Sequence, residues 1–105
     1  MRSDDAFSAL ASPVRRSLLE KLGERPQSVN ELADQFDMRR PSVSEHLKVL
    51  KDAGLVSAEQ IGRQRVYALN PAPLQDVAAW LHPFERFWRE HLRALADVLD
   101  EKEPS

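Results

Sequence analysis

The stretch RRPSVSEHLKVL, residues 39–50, has two different faces when it is wound into a helix. At about 100° per residue, Leu47 and Leu50 fall within about 40° of Val43, and the three form a narrow apolar stripe. The outer side carries small and charged residues, which are Arg40, Pro41, Ser44, Glu45, Lys48 and Lys51. Such a helix packs into a core through one face and leaves the other free to contact a partner.

A second short helix is predicted immediately before this stretch. Ser28 and Glu31 have the spacing of a capping box, in which each residue satisfies a free backbone N–H of the other. Apolar residues then recur at helical period, namely Val29, Leu32, Ala33 and Phe36. The next helix is expected from Arg40 to Ala53. Two short helices joined by a tight turn, the second with small and basic residues near its start, predict a helix-turn-helix over about residues 28–53.

The segment after this helix changes from helical to strand character. The runs LVSAEQI and RVYAL flank Gly62, so two β-capable segments joined by a glycine-containing turn predict a hairpin over about residues 55–69. A hairpin that directly follows a helix-turn-helix is a wing. Arg63, Gln64 and Arg65 lie at or beside its tip, where side chains reach a phosphate or a minor groove.

Two helices are predicted before the helix-turn-helix. The first can run from Asp4 to Ala11, with acidic residues at the end where they suit the helix dipole. The second has Ser12 as its N-cap, Pro13 at its first position and Gly23 as its stop.

One long amphipathic helix is predicted after the wing, over about residues 73–100. Pro83 interrupts its pattern and predicts a kink, or a break into two helices, near His82. A helix this long and apolar cannot be buried by so small a domain, so we expect it to pack across a dimer interface. The expected interface residues on it are Leu74, Val77, Leu81, Phe84, Trp88, Leu92 and Leu95. As an alternative, Trp80, Phe84, Phe87 and Trp88 could line a ligand pocket.

Composition and charge narrow the class of protein. A chain of 105 residues that is 42% hydrophobic fits a single domain, expected over residues 1–105. The absence of cysteine excludes disulfides and thiolate metal sites, and no signal peptide or long apolar run is present, so we expect a cytoplasmic protein without membrane contact. The net charge of -2 alone argues against a nucleic-acid partner. Residues 38–67 nevertheless hold six Lys and Arg against three Asp and Glu, a local balance of +3 that leaves -5 for the remainder.

Catalytic machinery is not visible in the sequence. It has no nucleophile elbow, no phosphate loop, no cysteine and no paired carboxylates in a glycine-containing cleft. We therefore expect a protein that is not an enzyme and carries no cofactor.

The runs LASPVRRSLLEKL and SVNELADQFDMRRPSVSEHLKVLKDAGLVSAEQIGRQRVYAL resemble the winged helix-turn-helix repressors of the ArsR family. The most specific parts are VSEHLKVLKDAGLV and GRQRVYAL, and the resemblance covers roughly residues 5–95. It implies a mostly α-helical fold with a small β-hairpin wing, in a bacterial homodimeric transcription regulator that dimerises through its N- and C-terminal helices. Phe7 and Leu10 of the first helix then join the expected interface. The partners implied are double-stranded DNA and a second copy of the chain.

The resemblance also assigns roles within the recognition helix. Carried over by position, Arg40, Ser44 and Glu45 would face base edges, whereas Arg39 and Lys48 would meet phosphates. An acidic side chain such as Glu45 either accepts a hydrogen bond from the N4 amino group of cytosine or weakens DNA binding by repelling phosphate. The complete candidate DNA-binding set is Arg39, Arg40, Ser42, Ser44, Glu45, His46, Lys48, Lys51, Arg63, Gln64 and Arg65. Within that set, His46 is more typical of a packing or capping residue than of a base contact.

The metal motifs of the family are missing at their expected places. A Cys-Val-Cys type box is replaced by Ser28-Val29-Asn30, and the ligands that other members carry just past the wing are replaced by Asn70-Pro71-Ala72-Pro73. The remaining weak candidates are His82, Glu85 and His91, which could share an ion only if the partner helix contributed. We therefore expect no metal.

The sequence thus predicts a DNA-binding transcriptional regulator, a homodimeric repressor that binds an inverted-repeat operator. Two alternatives are a winged-helix protein-interaction module that does not bind DNA, and a metal-responsive repressor with a non-standard His/Glu site. The operator, the regulated genes, the choice between repression and activation and any effector are left open.

Overall fold

The computed structural model describes residues 3–102, so the ends of the predicted 1–105 domain lie outside the described residues. Its helices and strands are, in chain order, α1 Ser3–Leu10, α2 Pro13–Glu24, β1 Gln27–Ser28, α3 Val29–Phe36, α4 Arg40–Asp52, β2 Val56–Ile61, β3 Gln64–Leu69 and α5 Ala72–Lys102. This is the predicted mostly helical fold with a β-hairpin wing, and the helix-turn-helix is formed by α3 and α4.

Local capping explains where α3 begins and ends. The Ser28 hydroxyl accepts from the backbone N–H of Glu31, and the Glu31 carboxylate accepts from the backbone N–H of Ser28, which confirms the predicted capping box. Asp37 then adopts a left-handed conformation with φ of 51°, and its N–H bonds to the carbonyl of Ala33. This tight stop turns the chain into α4, where Pro41 lies in the first turn.

The hairpin is joined by a third strand that the sequence did not predict. β2 and β3 pair antiparallel around Gly62, whose φ of 61° favours glycine, and β1 pairs with the other edge of β3, giving the order β1-β3-β2. Gln27 and Ser28 of β1 are buried, and the Gln27 side chain donates to the carbonyl of Lys21 at 2.8 Å. A strand of two residues has no periodicity, so only its pairing reveals it.

The core lies between the helices and the sheet. Its fully buried apolar side chains come from α2, α3, α4 and the start of the wing, and they are Leu18, Leu32, Val43, Leu47, Leu50 and Leu55. The predicted core stripe of α4, Val43, Leu47 and Leu50, is therefore confirmed.

Gly23 does not stop α2, contrary to the prediction. The helix continues through Gly23 to Glu24 and ends at Arg25, whose backbone is extended with φ of -170° and ψ of 160°. Arg25 precedes Pro26, and the proline ring disfavours helical backbone in the preceding residue. The proline, rather than the glycine, therefore sets the end of the helix.

Pro83 does not divide the last helix, and the predicted break into two helices is wrong. α5 is a single helix of 31 residues with Pro83 inside it. The carbonyl that loses its bond at a proline belongs to the residue four positions earlier, here Ala79, which is exposed and can be hydrated. Among residues 3–102, neither α5 nor any other helix is long and apolar enough to cross a bilayer.

Candidate nucleic-acid interface

The outer face of α4 is exposed along its whole length. Arg39, directly before the helix, and Ser42 are exposed, and so are the predicted outer-face residues, which are Arg40, Pro41, Ser44, Glu45, Lys48 and Lys51. His46 is half-buried at the edge of this face, between the exposed residues and the core stripe. The burial of Val43, Leu47 and Leu50 fixes the rotation of the helix, so the remaining side chains must point outward.

The wing places its basic residues by strand register. Arg65 lies opposite Gln60 and on the same strand face as Tyr67, because side chains two positions apart point the same way. The Arg65 guanidinium carbon is 5.9 Å from the centroid of the Tyr67 ring, which is the range of a cation–π contact. Arg63 lies in the exposed turn after Gly62, and Gln64 begins β3.

A crevice of about 160 Å³ joins the wing to the helix-turn-helix. Three arginines line it, Arg40 from the start of α4 and Arg63 and Arg65 from the wing. Its other polar side chains are Asn30, Gln60 and Gln64, with Ser28 and Val29 completing the wall. Guanidinium and amide groups around one small space suit an anionic, oxygen-rich group such as a phosphate.

Asn30 and Gln60 are members of this crevice that the sequence interpretation missed. Asn30 lies in the first turn of α3, and Gln60 is brought beside Arg65 by the pairing of β2 with β3. Gln60 lies opposite Arg65, which is on the same strand face as Tyr67. The alternation of side chains along each strand of the predicted hairpin could therefore have indicated Gln60. No signal in the sequence indicates that the start of α3 meets the wing.

The basic side chains of the interface are not neutralised by neighbouring carboxylates. Within the described residues, the contacts between basic and acidic side chains join Arg25 to Glu31 at 2.8 Å and His82 to Glu85 at 4.0 Å, and both lie elsewhere. The hydrogen bond from Arg25, together with the backbone N–H of Ser28, lowers the pKa of Glu31 below its ordinary value. The positive charge of α4 and the wing is therefore available to an external anion.

The predicted weak metal candidates are not brought together within one chain. His82 and Glu85 are exposed and separated by 4.0 Å, whereas His91 stacks against the Phe87 ring with centroids 5.8 Å apart. At the start of α3, the buried Ser28 hydroxyl is already used as a helix cap. Among the described side chains, those of residues 5–99, no three His, Cys, Asp or Glu lie close enough together within one chain to hold an ion.

The predicted dimer residues differ in how far their own chain covers them. Val77 is buried, and Leu10 and Leu74 pack against the core, so these three are largely covered by their own chain. Phe7 is half-buried and makes an edge-to-face contact with Trp80 at 5.3 Å. The remaining members are exposed along α5, namely Leu81, Phe84, Trp88, Leu92 and Leu95. Trp80 and Phe87 are also exposed, and Trp80 contacts Phe84 with ring centroids 4.9 Å apart.

Comparison with known proteins identifies this architecture. A family described as a helix-turn-helix domain matches residues 10–57. The chain is similar to the HTH-type transcriptional regulator Rv2034 of Mycobacterium tuberculosis, with 43% identity over 97 residues that cover 92% of this chain and 88% of the relative. It is also similar to the transcriptional repressor SdpR of Bacillus subtilis, with 33% identity over 81 residues that cover 77% of this chain and 90% of the relative.

The fold has matching solved structures. The crystal structure of the ArsR family transcriptional regulator RHA00566 superposes with a TM-score of 0.71 at 38% identity, and the match covers 82% of this chain and 94% of that one. These relatives are transcriptional regulators and repressors, so the predictions of a winged helix-turn-helix fold and of a DNA-binding regulator rather than an enzyme are confirmed. The chain belongs to the ArsR family of helix-turn-helix transcriptional regulators.

Proposed function

We propose that the protein acts as a homodimeric repressor that binds an inverted-repeat operator in double-stranded DNA. The observation that carries this proposal is the shared basic surface of α4 and the wing, where Arg40, Arg63 and Arg65 surround one crevice without a carboxylate partner among the described residues. Two recognition helices related by a twofold axis would enter successive major grooves about 34–36 Å apart, which requires two inverted half-sites.

Within each half-site, α4 reads the major groove. Arg40 donates to a guanine edge, and Ser44 and Glu45 meet neighbouring bases, with Glu45 able to accept from cytosine N4. Arg39, Ser42, Lys48 and Lys51 contact the phosphate backbone on either side, and His46 supports the helix from its half-buried position. The exposure of Arg40, Ser44 and Glu45 supports these assignments, which are carried over by position from the ArsR family.

The wing contacts the DNA backbone that flanks each half-site. Arg65 is braced against the Tyr67 ring and lines the crevice with Arg40, so a phosphate bound there contacts both the wing and the recognition helix. Arg63 and Gln64, nearer to the tip, reach toward the adjacent minor groove. The domain that performs this task spans the helix-turn-helix at about 28–53, the wing at about 55–69 and the dimerisation helix at about 73–100.

The exposed apolar face of α5 supports the homodimer. Phe84, Trp88 and Leu92 are each about half exposed in the single chain, at 48%, 57% and 57%. A continuous apolar surface of this kind marks an interaction site in most proteins. A second copy of α5, together with Phe7 of α1, covers this face and sets the distance between the two recognition helices.

The test begins with selection of an operator from random duplex DNA, followed by fluorescence anisotropy on that operator at several salt concentrations. We expect tight binding at low salt that falls steeply as salt rises, because phosphate contacts release counterions. Arg40→Ala should weaken operator binding roughly 10- to 100-fold and relax preference at one base position. Arg65→Ala should weaken binding to all DNA sequences by a similar factor. It should also reduce the slope of the logarithm of affinity against the logarithm of salt concentration by about one.

The matched control is Arg86→Ala, which removes the same charge from an exposed position on α5. It should bind the operator as the unchanged protein does. Ser44→Arg should select a different half-site with little change in thermal stability. Absent binding at low salt, or binding that does not depend on salt, would contradict the proposal and favour a protein-interaction module.

A further inference from the structure

The C-terminal end of α1 is held by two arginines of the next helix. The carbonyl groups in the last turn of a helix have no partner within the helix, so other groups must bond them. The Arg15 guanidinium donates to the carbonyl of Ala9 at 2.6 Å and to that of Ser8 at 3.2 Å. Arg16 donates to the carbonyl of Leu10 at 2.8 Å. Three consecutive carbonyls at the end of α1 are therefore bonded by side chains of α2.

These two arginines also place positive charge where α1 lacks it. The C-terminus of a helix carries a partial negative charge, which cations stabilise, and α1 has no basic residue in its own last turn. Arg15 and Arg16 lie at the start of α2, where the partial charge of the helix is positive and a cation is unfavourable. Neither belongs to an ion pair within the described residues. Their position is thus unfavourable for α2 and favourable for α1.

The other contacts that hold α1 are small. A helix of eight residues is too short to be stable by itself in water. The described side chains of α1 that are buried are those of Ala6 and Ala9, which are single methyl groups. Its larger side chains, Phe7 and Leu10, are only half-buried, and Phe7 contacts the Trp80 ring of α5 with centroids 5.3 Å apart. The orientation of α1 therefore depends strongly on the hydrogen bonds from α2.

We propose that Arg15 and Arg16 are positioning residues for the homodimer, because they hold α1 in the orientation that joins Phe7 to the apolar face of α5. This role rests on the proposed homodimer. Phe7 contacts Trp80 and Trp80 contacts Phe84, so the three rings form one continuous surface. Without the arginines α1 detaches, the Phe7 ring leaves this surface, and the second copy loses that part of its contact.

The test measures the dimer dissociation constant of the DNA-free protein by sedimentation over a concentration series. Arg15→Met keeps an unbranched side chain but removes both hydrogen bonds, and we expect it to weaken the dimer at least about tenfold. Arg16→Met removes one bond from an exposed side chain and should weaken the dimer less. Arg15→Lys, which keeps the charge and one donor group, should restore most of the affinity.

Hydrogen–deuterium exchange separates positioning of α1 from general damage to the fold. In Arg15→Met the amides of α1 should lose protection, because this helix detaches, whereas those of α4 should exchange as in the unchanged protein. The control is Arg86→Met, the same replacement at an exposed position on α5 outside the apolar face. It should change neither the dissociation constant nor the protection of α1.

Two results would overturn the inference. One is an equal dissociation constant in Arg15→Met and Arg86→Met. The other is an equal loss of protection in α1 and α4, which would assign the arginines to general stability. The unchanged protein is measured first, since a monomer at every concentration would contradict the homodimer and this role with it.

Operator binding measured on the same samples keeps this role apart from the proposed function. A dimer that is weakened by Arg15→Met, in a protein that binds no operator, would contradict only the DNA-binding proposal. A dimer that binds the operator and is unaffected by Arg15→Met would contradict only the role of the arginines.

Discussion

The helix-turn-helix with its wing and the distal part of α5, residues 80–99, use similar apolar side chains in opposite ways. In the former, Leu32, Leu47 and Leu50 have no exposed surface. In the latter, Trp80, Trp88 and Leu92 are each exposed at 57% although they recur at the same three- and four-residue spacings. Apolar periodicity therefore identifies a helix face that is unfavourable to expose to water, but it does not show whether that face is buried by the same chain or by another molecule.

The two regions also differ in what holds them in place. α3 and α4 are fixed by caps, by the core and by the sheet, so the outer face of α4 is presented rigidly. The distal part of α5 extends away from these elements, and the longest dimension of the molecule is 63 Å. The first region therefore presents a polar face held in a fixed orientation, whereas the second leaves an apolar face that its own chain does not cover.

The largest expected effect follows from placing a charge in the first region. Leu47→Asp puts an unpaired carboxylate into a fully buried site and should lower the free energy of unfolding by about 5 kcal/mol or more, comparable to the whole stability of many small domains. Urea denaturation followed by circular dichroism would measure it. Val49→Asp, two positions along and 40% exposed, should remain folded. An equal loss of unfolding free energy in both variants would mean that burial of Leu47 does not set the orientation of α4.

A smaller effect is expected in the second region, and on association rather than folding. Replacing Phe84 and Trp88 together by serine should weaken the dimer at least about a hundredfold, because each aromatic ring contributes roughly 1.5–3 kcal/mol when buried. Light scattering over a concentration series would detect the monomer. Arg86→Ser with Arg89→Ser, on the same helix outside the apolar face, is the control. A double variant that remains dimeric would refute the assignment of this face.

The helix cap of the first region should contribute less. Ser28→Ala removes the hydroxyl that accepts from the backbone N–H of Glu31 and should cost about 1 kcal/mol of stability. Thermal unfolding would measure the loss. Ser57→Ala, at an exposed position on β2, should change stability by less than about 0.5 kcal/mol. An equal loss of stability in the two variants would mean that the Ser28 cap does not define the start of α3.

The smallest expected effect depends on pH. The hydrogen bonds from Arg25 and from the Ser28 backbone hold the pKa of Glu31 below its ordinary value of 4.5, so the folded state favours the carboxylate. This stabilisation is complete above the unfolded pKa and is lost as pH falls through the lowered folded value. The melting temperature of Glu31→Gln should therefore lie below that of the unchanged protein at neutral pH, and the gap should narrow in acid. A gap of the same size at neutral and at acid pH would mean that the ionised carboxylate of Glu31 does not contribute this stability.

Much of the helix-turn-helix and wing could be predicted because their signals are local. The capping box of Ser28 and Glu31, the stripe of Val43, Leu47 and Leu50, and the turn at Gly62 each depend on residues within one or two turns of chain. Local geometry decides such features before distant contacts form. The exposed candidates on α4 followed from the same periodicity.

The features that the sequence did not predict depend on residues that are distant along the chain. β1 exists because Gln27 lies opposite Tyr67, and the crevice exists because Arg40 meets Arg63 and Arg65 across the wing. Pro83 predicts a kink or a break because its missing hydrogen bond is a local cost, yet α5 continues as one helix where the freed carbonyl is exposed to water.

By itself, the sequence determined the helical spacing of the apolar residues, the caps, the hairpin and the concentration of positive charge between Met38 and Tyr67. The tertiary structure alone decided which apolar faces are buried, that Gly23 continues α2 rather than ending it, and that three arginines share one crevice. The reason is physical: spacing and capping act within a few residues, whereas burial and convergence of side chains exist only once separate elements pack against one another.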